Sequence, residues 1–285
     1  MFEVRVPATS ANLGPGFDTL GIALTLYGRF VFTETDTPLD AEHLALDAYA
    51  QALKRLGKTG PSLTVASTEV IPIGKGLGSS AACIVAGVLA ANHVSGAGLA
   101  MNDLVMLAAE IEGHPDNVAP ALLGGLVASG WQEGRLLTGQ LPVSTAWSFA
   151  LLIPDQALST KAARQVLPAS VSFTDAVYNL SQLGCSISAL AGHDDTLLHH
   201  AFGDRLHQPY RFPLIAESAA IMRLAKEHGA LAVTLSGAGP AFLLIRRKGD
   251  ALDSLKTALA VRPDCGWNLH LAEIDTKGAQ LSERI

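Results

Sequence analysis

The sequence predicts an α+β chain of two domains, and three observations carry that prediction. A glycine-rich segment, Ile71 to Ser80, runs straight into a helix of small residues. Strand-like segments rich in β-branched and aromatic residues are interleaved with segments of helical spacing. At Ser148 the pattern starts again with a buried strand, which puts the expected division at 1–147 and 148–285.

Each element has its own justification. Phe2 to Pro7 and Gly28 to Thr35 read as strands, separated by the glycine-rich stretch Asn12 to Gly21. Asp40 to Leu56 has helical spacing, with Leu44, Ala48 and Leu53 on one face and Gly57 as its stop. Leu63 to Ile71 is a further strand, and the helix after the loop runs to about Val94 with Ser79 or Ser80 as its cap. Asn102 is expected to cap the next helix, which Gly113 and Pro115 end. A hairpin follows at Val127. In the second half, Phe149 to Ile153 is a strand, a helix starts at Thr160, and helical segments reach about Lys226. Leu231 to Leu235 and Ala241 to Arg246 are strands joined by the turn Ser236-Gly-Ala-Gly-Pro240. Ala251 to Leu259 is helical, and Trp267 to Ile274 is the closing strand.

Composition narrows the class of function. With 285 residues, 49% of them hydrophobic, the chain can bury a large core. Lys+Arg number 20 against 26 Asp+Glu, and the densest basic cluster is Arg246-Arg247-Lys248, which argues against a nucleic-acid partner. Cys83, Cys185 and Cys265 are far apart and outside metal spacing, as expected of free thiols in a reducing compartment. Met1 to Val6 starts an alternating strand rather than a signal peptide, and the apolar run Ala81 to Ala91 is too short to cross a bilayer. The expected location is the cytoplasm, with no membrane partner.

Chemistry concentrates in four segments. In the loop, Gly74, Gly76 and Gly78 can adopt backbone angles closed to other residues, so that successive N–H groups converge on one anion. The helix N-terminus behind them adds its free N–H groups and positive dipole end. A plain connection is the alternative. The span Gly76 to Ala81 also fits a relaxed dinucleotide fingerprint, with Asp103 as its acid, but Asp103 follows a loop and helix start rather than a second strand. Gly57-Lys58-Thr59 is no Walker A loop, because Ala52 stands where its first glycine is required, and a G-x-S-x-G elbow is absent.

The second segment, Pro7 to Asp18, carries Asn12 and Asp18 on a rigid loop, with an Asx-stabilised surface turn as the plainer reading. The third, Glu110-Ile-Glu-Gly-His-Pro-Asp-Asn117, packs polar groups at a helix end between apolar flanks that draw them inward. The fourth, Ser236 to Pro240, is a backbone nest or a simple hairpin turn. By contrast, His193 to His200 matches no zinc spacing and reads as a solvated helix capped by Asp194.

Together these segments resemble the family of small-molecule kinases named for galactokinase, homoserine kinase, mevalonate kinase and phosphomevalonate kinase. The three family motifs fall in order at Pro7 to Gly21, Pro72 to Ala82 and Ser236 to Pro240. Pro7 to Gly21, His114 to Pro120, Leu158 to Pro168 and Leu206 to Arg211 are similar to the members that act on homoserine. The resemblance implies an N-terminal ribosomal-protein-S5-like, nucleotide-binding domain and a C-terminal ferredoxin-like domain. It also implies ATP and Mg²⁺, L-homoserine as substrate, and a homodimer. Pro72, Ile73, Gly74, Lys75, Gly76, Leu77, Gly78, Ser79, Ser80, Ala81 and Ala82 would wrap the nucleotide. Ser80 and Glu110 would hold the metal, with Glu112 as the alternative, because the segment to His114 is shorter than in some relatives. Asn12, Asp18, His114 and Asp116 would line the acceptor site, Arg164 and Arg211 would meet its carboxylate, and Thr160 would lie near the transferred group. After Pro240 this chain has Ala241, where relatives often carry a hydroxyl residue.

Physical chemistry favours the same substrate. A zwitterionic amino acid needs a carboxylate for its ammonium and a guanidinium fork for its carboxyl group, and Asp18 or Asp116 with Arg164 or Arg211 provides both.

Overall fold

A computed structural model describes residues 1–36, 43–261 and 266–283. The first half opens with β1 (Phe2–Ala11), β2 (Leu20–Glu34), α1 (Leu44–Leu56) and β3 (Leu63–Glu69). Three helices follow, α2 (Ser79–Ser95), α3 (Met101–Glu112) and α4 (Pro115–Leu123), then the hairpin β4 (Leu126–Gln132) and β5 (Arg135–Leu141). Next come β6 (Trp147–Pro154), α5 (Thr160–Gln165), α6 (Phe173–Ala191), α7 (Asp195–His200) and α8 (Gln208–Arg211). The chain continues through α9 (Ser218–Glu227), β7 (Ala232–Leu235), β8 (Phe242–Arg247), α10 (Asp253–Ala260), β9 (Trp267–Ala272) and β10 (Gln280–Glu283).

The strands form two antiparallel sheets. One runs β10-β1-β2-β4-β5 with β3 also paired to β2, and the other runs β7-β8-β6-β9. Side chains from the first sheet and from α1 to α4 make the larger core. A second core lies where β6, β7 and β8 meet α9 and α10, around Ile221, Leu255 and Phe242, whose ring stacks on that of Trp267 with centroids 5.4 Å apart.

Several boundaries differ from expectation, each for a physical reason. β1 and β2 extend into the glycine-rich stretch and pair through Ala11↔Gly21, leaving only Asn12 to Thr19 as loop. Gly21 is needed in that ladder, since a Cβ there would lie 1.8 Å from the Asp116 carbonyl oxygen on α4. The expected helix start at Asp40 lies outside the described residues; α1 begins at Leu44, and the His43 imidazole accepts the Ala45 N–H at 3.2 Å. Gly78, with φ 72°, is the residue before α2, so Ser79 and Ser80 are its first helical residues rather than its cap. Ala100 precedes α3 without a side-chain cap, and Asn102 lies inside the first turn. α3 ends at Glu112 with Gly113 after it, as expected, but Pro115 then opens a further helix, α4, because a proline at the first helical position loses no bond.

The closing strand is also different. After β9 the chain bridges Ile274 to Leu24, and β10 pairs with β1 in the first sheet, Phe2 opposite Glu283. Asp194 caps α7 as expected, accepting the Leu197 N–H at 2.9 Å. Cys83 and Cys185 are free thiols, and Cys265 lies outside the described residues. Among the described residues no helix is long and apolar enough to cross a membrane.

Candidate active site

The glycine-rich loop, the ends of α3 and α5, the head of α4 and the β7–β8 turn surround one cavity of about 380 Å³. Its loop wall is main chain. Gly74, Gly76 and Gly78 all have positive φ, 70°, 76° and 72°, which directs successive amides to one side. A Cβ on Gly76 would lie 2.2 Å from the Ser236 carbonyl oxygen, so the loop is pressed onto the β7–β8 turn. The turn binds it in return: Ser236 Oγ donates to the Gly76 carbonyl at 2.7 Å, and the Ala241 N–H to that of Lys75 at 3.1 Å. On the other side, the Leu158 N–H donates to the Gly74 carbonyl at 2.9 Å.

Lys75 does not line this cavity. Its ammonium donates to the carbonyls of Pro154, Asp155 and Gln156 at 2.8, 2.5 and 2.9 Å, which uses all three of its protons at the end of β6. Ala81 and Ala82 are buried within α2 and support the loop from behind. Pro72, Ile73, Leu77, Ser79 and Ser80 line the cavity.

The two glutamates of α3 have different fates. Glu112 lines the cavity and accepts the Ser80 hydroxyl at 3.0 Å. Burial raises its pKa, Asp116 adds to the rise, and His114 and the Ser80 bond oppose it. Glu110 is on another face of α3, exposed and 3.5 Å from Arg55, so it does not meet Ser80. Of the two acids named for this position, Glu112 is therefore the one beside Ser80: an acid two residues on along a helix is rotated by about 200°, and only one of the two can point inward.

The opposite side of the site is built from charged side chains. Arg164 grips Asp18 with two bonds, 3.0 and 2.8 Å. That bond raises the Arg164 pKa. The His114 imidazole meets Asp116 at 2.8 Å, and this bond raises its pKa against the effect of burial. Arg211 is 1% exposed; its Nε donates to the Ala163 carbonyl at 3.1 Å, its Nη1 to that of Gly237 at 3.2 Å. Burial, then the charge of Arg164, lowers its pKa to about 10. Thr160 lines the cavity at the first residue of α5, behind the cap Ser159.

Asn12 lines the cavity as well, but its amide is engaged by the scaffold. It accepts the Asp18 N–H at 2.9 Å and donates to the Gly237 carbonyl at 2.8 Å. The Asx turn and the functional loop are therefore one object. Asn12 and Asp18 both hold left-handed angles, φ 70° and 50°, a conformation costing about 1 kcal/mol or more outside glycine that these bonds sustain.

Sequence reasoning missed His43, Leu44 and Cys83 as lining residues, and left Asn117, Leu158, Gly237 and Ala238 inside its motif segments without a role of their own. Asn117 had a signal, since it sits in the polar cluster after His114 and its amide oxygen accepts the Thr9 hydroxyl at 2.8 Å. His43 and Leu44 had none, because nothing local marks the head of α1 as facing a distant loop. Cys83 is inert there, its thiol pushed up to about 11 by burial and then by Glu112.

A loop of converging amides beside an acidic residue paired to a serine, opening on a pocket of opposed charges, defines a small-molecule kinase, and the chain belongs to the GHMP kinase family. It matches the GHMP kinases N terminal domain over residues 43–125 and the GHMP kinases C terminal domain over residues 186–261. Homoserine kinase from Clostridium botulinum strain Okra is 38% identical over 296 aligned positions, spanning 100% of this chain and 99% of that protein. Homoserine kinase from Moorella thermoacetica is 42% identical over 257, covering 86% of this chain and 87% of the other. The crystal structure of homoserine kinase from Cytophaga hutchinsonii superimposes with a TM-score of 0.87 at 28% identity, covering 99% of this chain and 97% of that one. Mevalonate kinase from L. major, at 15% identity and a TM-score of 0.70, shares the fold.

Proposed function

We propose that the protein transfers the γ-phosphoryl group of ATP to the side-chain hydroxyl of L-homoserine, giving O-phospho-L-homoserine for threonine biosynthesis. One observation carries this reading: Arg164, Arg211, His114 and Asp116 line the same cavity as the amides of Gly74 to Ser80. A zwitterion entering there meets both signs of charge, which a sugar or a mevalonate does not require. The homoserine kinase relatives that span the whole chain support the same substrate.

In this reading the loop amides and the α2 N-terminus hold the phosphates, where they neutralise charge spread over the phosphoryl oxygens. The residues present fit Mg²⁺: Ser80 and Glu112 are hard oxygen donors, and the raised pKa of Glu112 reflects a burial penalty that a divalent cation offsets. Mg²⁺ held there supplies charge neutralisation to the triphosphate. Asp18 and Arg164 take the ammonium and carboxylate of the substrate, Arg211 assists on the carboxylate, and His114 with Asp116 shapes the wall. Asn12 acts by fixing the Asp18 loop. Thr160 lies near the transferred group. The hydroxyl attacks directly, with positioning rather than an obligatory base as the main contribution. The same reading divides the chain at 147/148, with β10 returning to the first domain, and takes the protein to be a cytoplasmic homodimer acting on free small molecules.

ADP release, followed with homoserine, mevalonate and galactose in turn, tests the reading. Turnover confined to homoserine and abolished by EDTA is expected; preference for either other alcohol overturns it.

A further inference from the structure

His207 is fully buried, and the chemistry above makes no use of it. Both of its ring nitrogens are engaged. Nε2 lies 2.8 Å from the Gly14 carbonyl oxygen, which only accepts, so Nε2 carries the proton. Nδ1 then presents a lone pair, and Arg211 Nη1, which only donates, lies 3.1 Å from it. A single neutral tautomer satisfies both contacts, whereas an imidazolium would turn an N–H against the guanidinium.

The surroundings hold this arrangement. Asp204 accepts the main-chain N–H groups of Leu206, His207 and Gln208 at 2.9, 3.0 and 2.6 Å, fixing the turn into α8. Gln208 accepts the Leu235 N–H at 2.8 Å, anchoring that turn to β7. The Phe17 ring stacks on the imidazole at 5.2 Å. Charged groups facing His207 are Asp204, with Oδ2 3.5 Å from Nε2, Arg211 on the helix that begins just after it, and Asp18 from the loop. Burial lowers the His207 pKa to about 4, Asp204 opposing and Arg211 assisting.

We infer that His207 is a positioning residue for acceptor recognition. By bridging Gly14 to Arg211 it sets the spacing between the loop that carries Asp18 and the guanidinium, and so matches the pocket to an acceptor bearing both charges. This rests on the function proposed above.

Steady-state kinetics of H207L, H207N and H207Q test it. Asn places an acceptor near the Nδ1 position and Gln a donor near the Nε2 position, so each mimics one half of the bridge. H207L is expected to raise the KM for homoserine about tenfold or more, the loss of one charge-assisted contact and one neutral one, with the KM for ATP and kcat within about twofold. H207N and H207Q are each expected to recover part of that rise, and they carry the test if H207L fails to fold. An unchanged homoserine KM in a folded variant overturns the inference. So does a parallel shift of both KM values with melting temperature across the series, which is the signature of packing alone. If the wild-type protein does not turn over homoserine, the functional reading falls first and takes this inference with it; wild-type turnover with a flat homoserine KM across the variants removes the inference alone.

Discussion

The loop Gly74 to Ser80 and the acceptor pocket share one cavity but are built on opposite principles. The loop binds through main-chain amides of consecutive residues, its one charged side chain turned away onto the carbonyls at the end of β6. The pocket is built from charged side chains of separate segments, paired to one another: Asp18 with Arg164, and His114 with Asp116. Amides aimed by backbone angles serve an anion whatever it is attached to, whereas a set of opposed charges selects a ligand whose own charges can replace their partners. In the proposed reaction the first arrangement supplies the common chemistry and the second supplies specificity.

Substitutions can break that contrast, and the largest effect is expected in the loop. Gly76→Ala combines positive φ with a Cβ 2.2 Å from a main-chain oxygen, and should cost about 3 kcal/mol of stability with loss of ATP binding. Thermal unfolding with and without ATP measures both, and a variant as stable as wild type would show the loop to be loosely held. Next, Glu112→Gln should lower kcat/KM about a hundredfold while Glu110→Gln stays within about twofold. Equal losses would return Glu110 to consideration. Asp18→Asn should raise the homoserine KM about tenfold and leave the single-turnover rate at saturation within about threefold. A collapse of that rate would make Asp18 an obligatory base.

Lys75→Met should be milder still, raising the ATP KM about threefold and lowering the melting temperature without ligand, because it loosens the loop rather than removing a phosphate contact. A large fall in kcat with unchanged unliganded stability would instead put the ammonium on the phosphates. The smallest effect concerns pH. The His207 pKa is about 4 in the fold against 6.5 for the free side chain, so the unfolded chain binds the proton more readily between those values. Stability from keeping this imidazole neutral is present above 6.5 and is lost as pH falls toward 4. The stability of wild type relative to H207N should therefore decline over that window, and a constant difference in denaturant midpoint would contradict it.

Legibility followed the same contrast. The loop was readable because its chemistry is local: three glycines at alternate positions before a run of small residues already state where amides converge. Arg164 and Asp18 were each nameable as acceptor-site residues through family resemblance, but their mutual grip spans 146 positions in sequence and no spacing encodes it. The helix caps misled for a related reason. Serine is the better cap in isolation, yet Gly78 takes that position because the loop must turn left-handed there.

Local composition by itself determined the glycine-rich loop, most of the strands and helices in their order, the capped helix at Asp194, and the residue types of the pocket, because each depends on backbone preference and burial within a few residues. The tertiary structure decided which glutamate faces Ser80, where the Lys75 ammonium goes, that β10 closes the first sheet, and that Arg211 and Gly14 meet across His207. Those outcomes depend on helix rotation and on contacts between segments far apart in the chain, where only packing sets which groups meet.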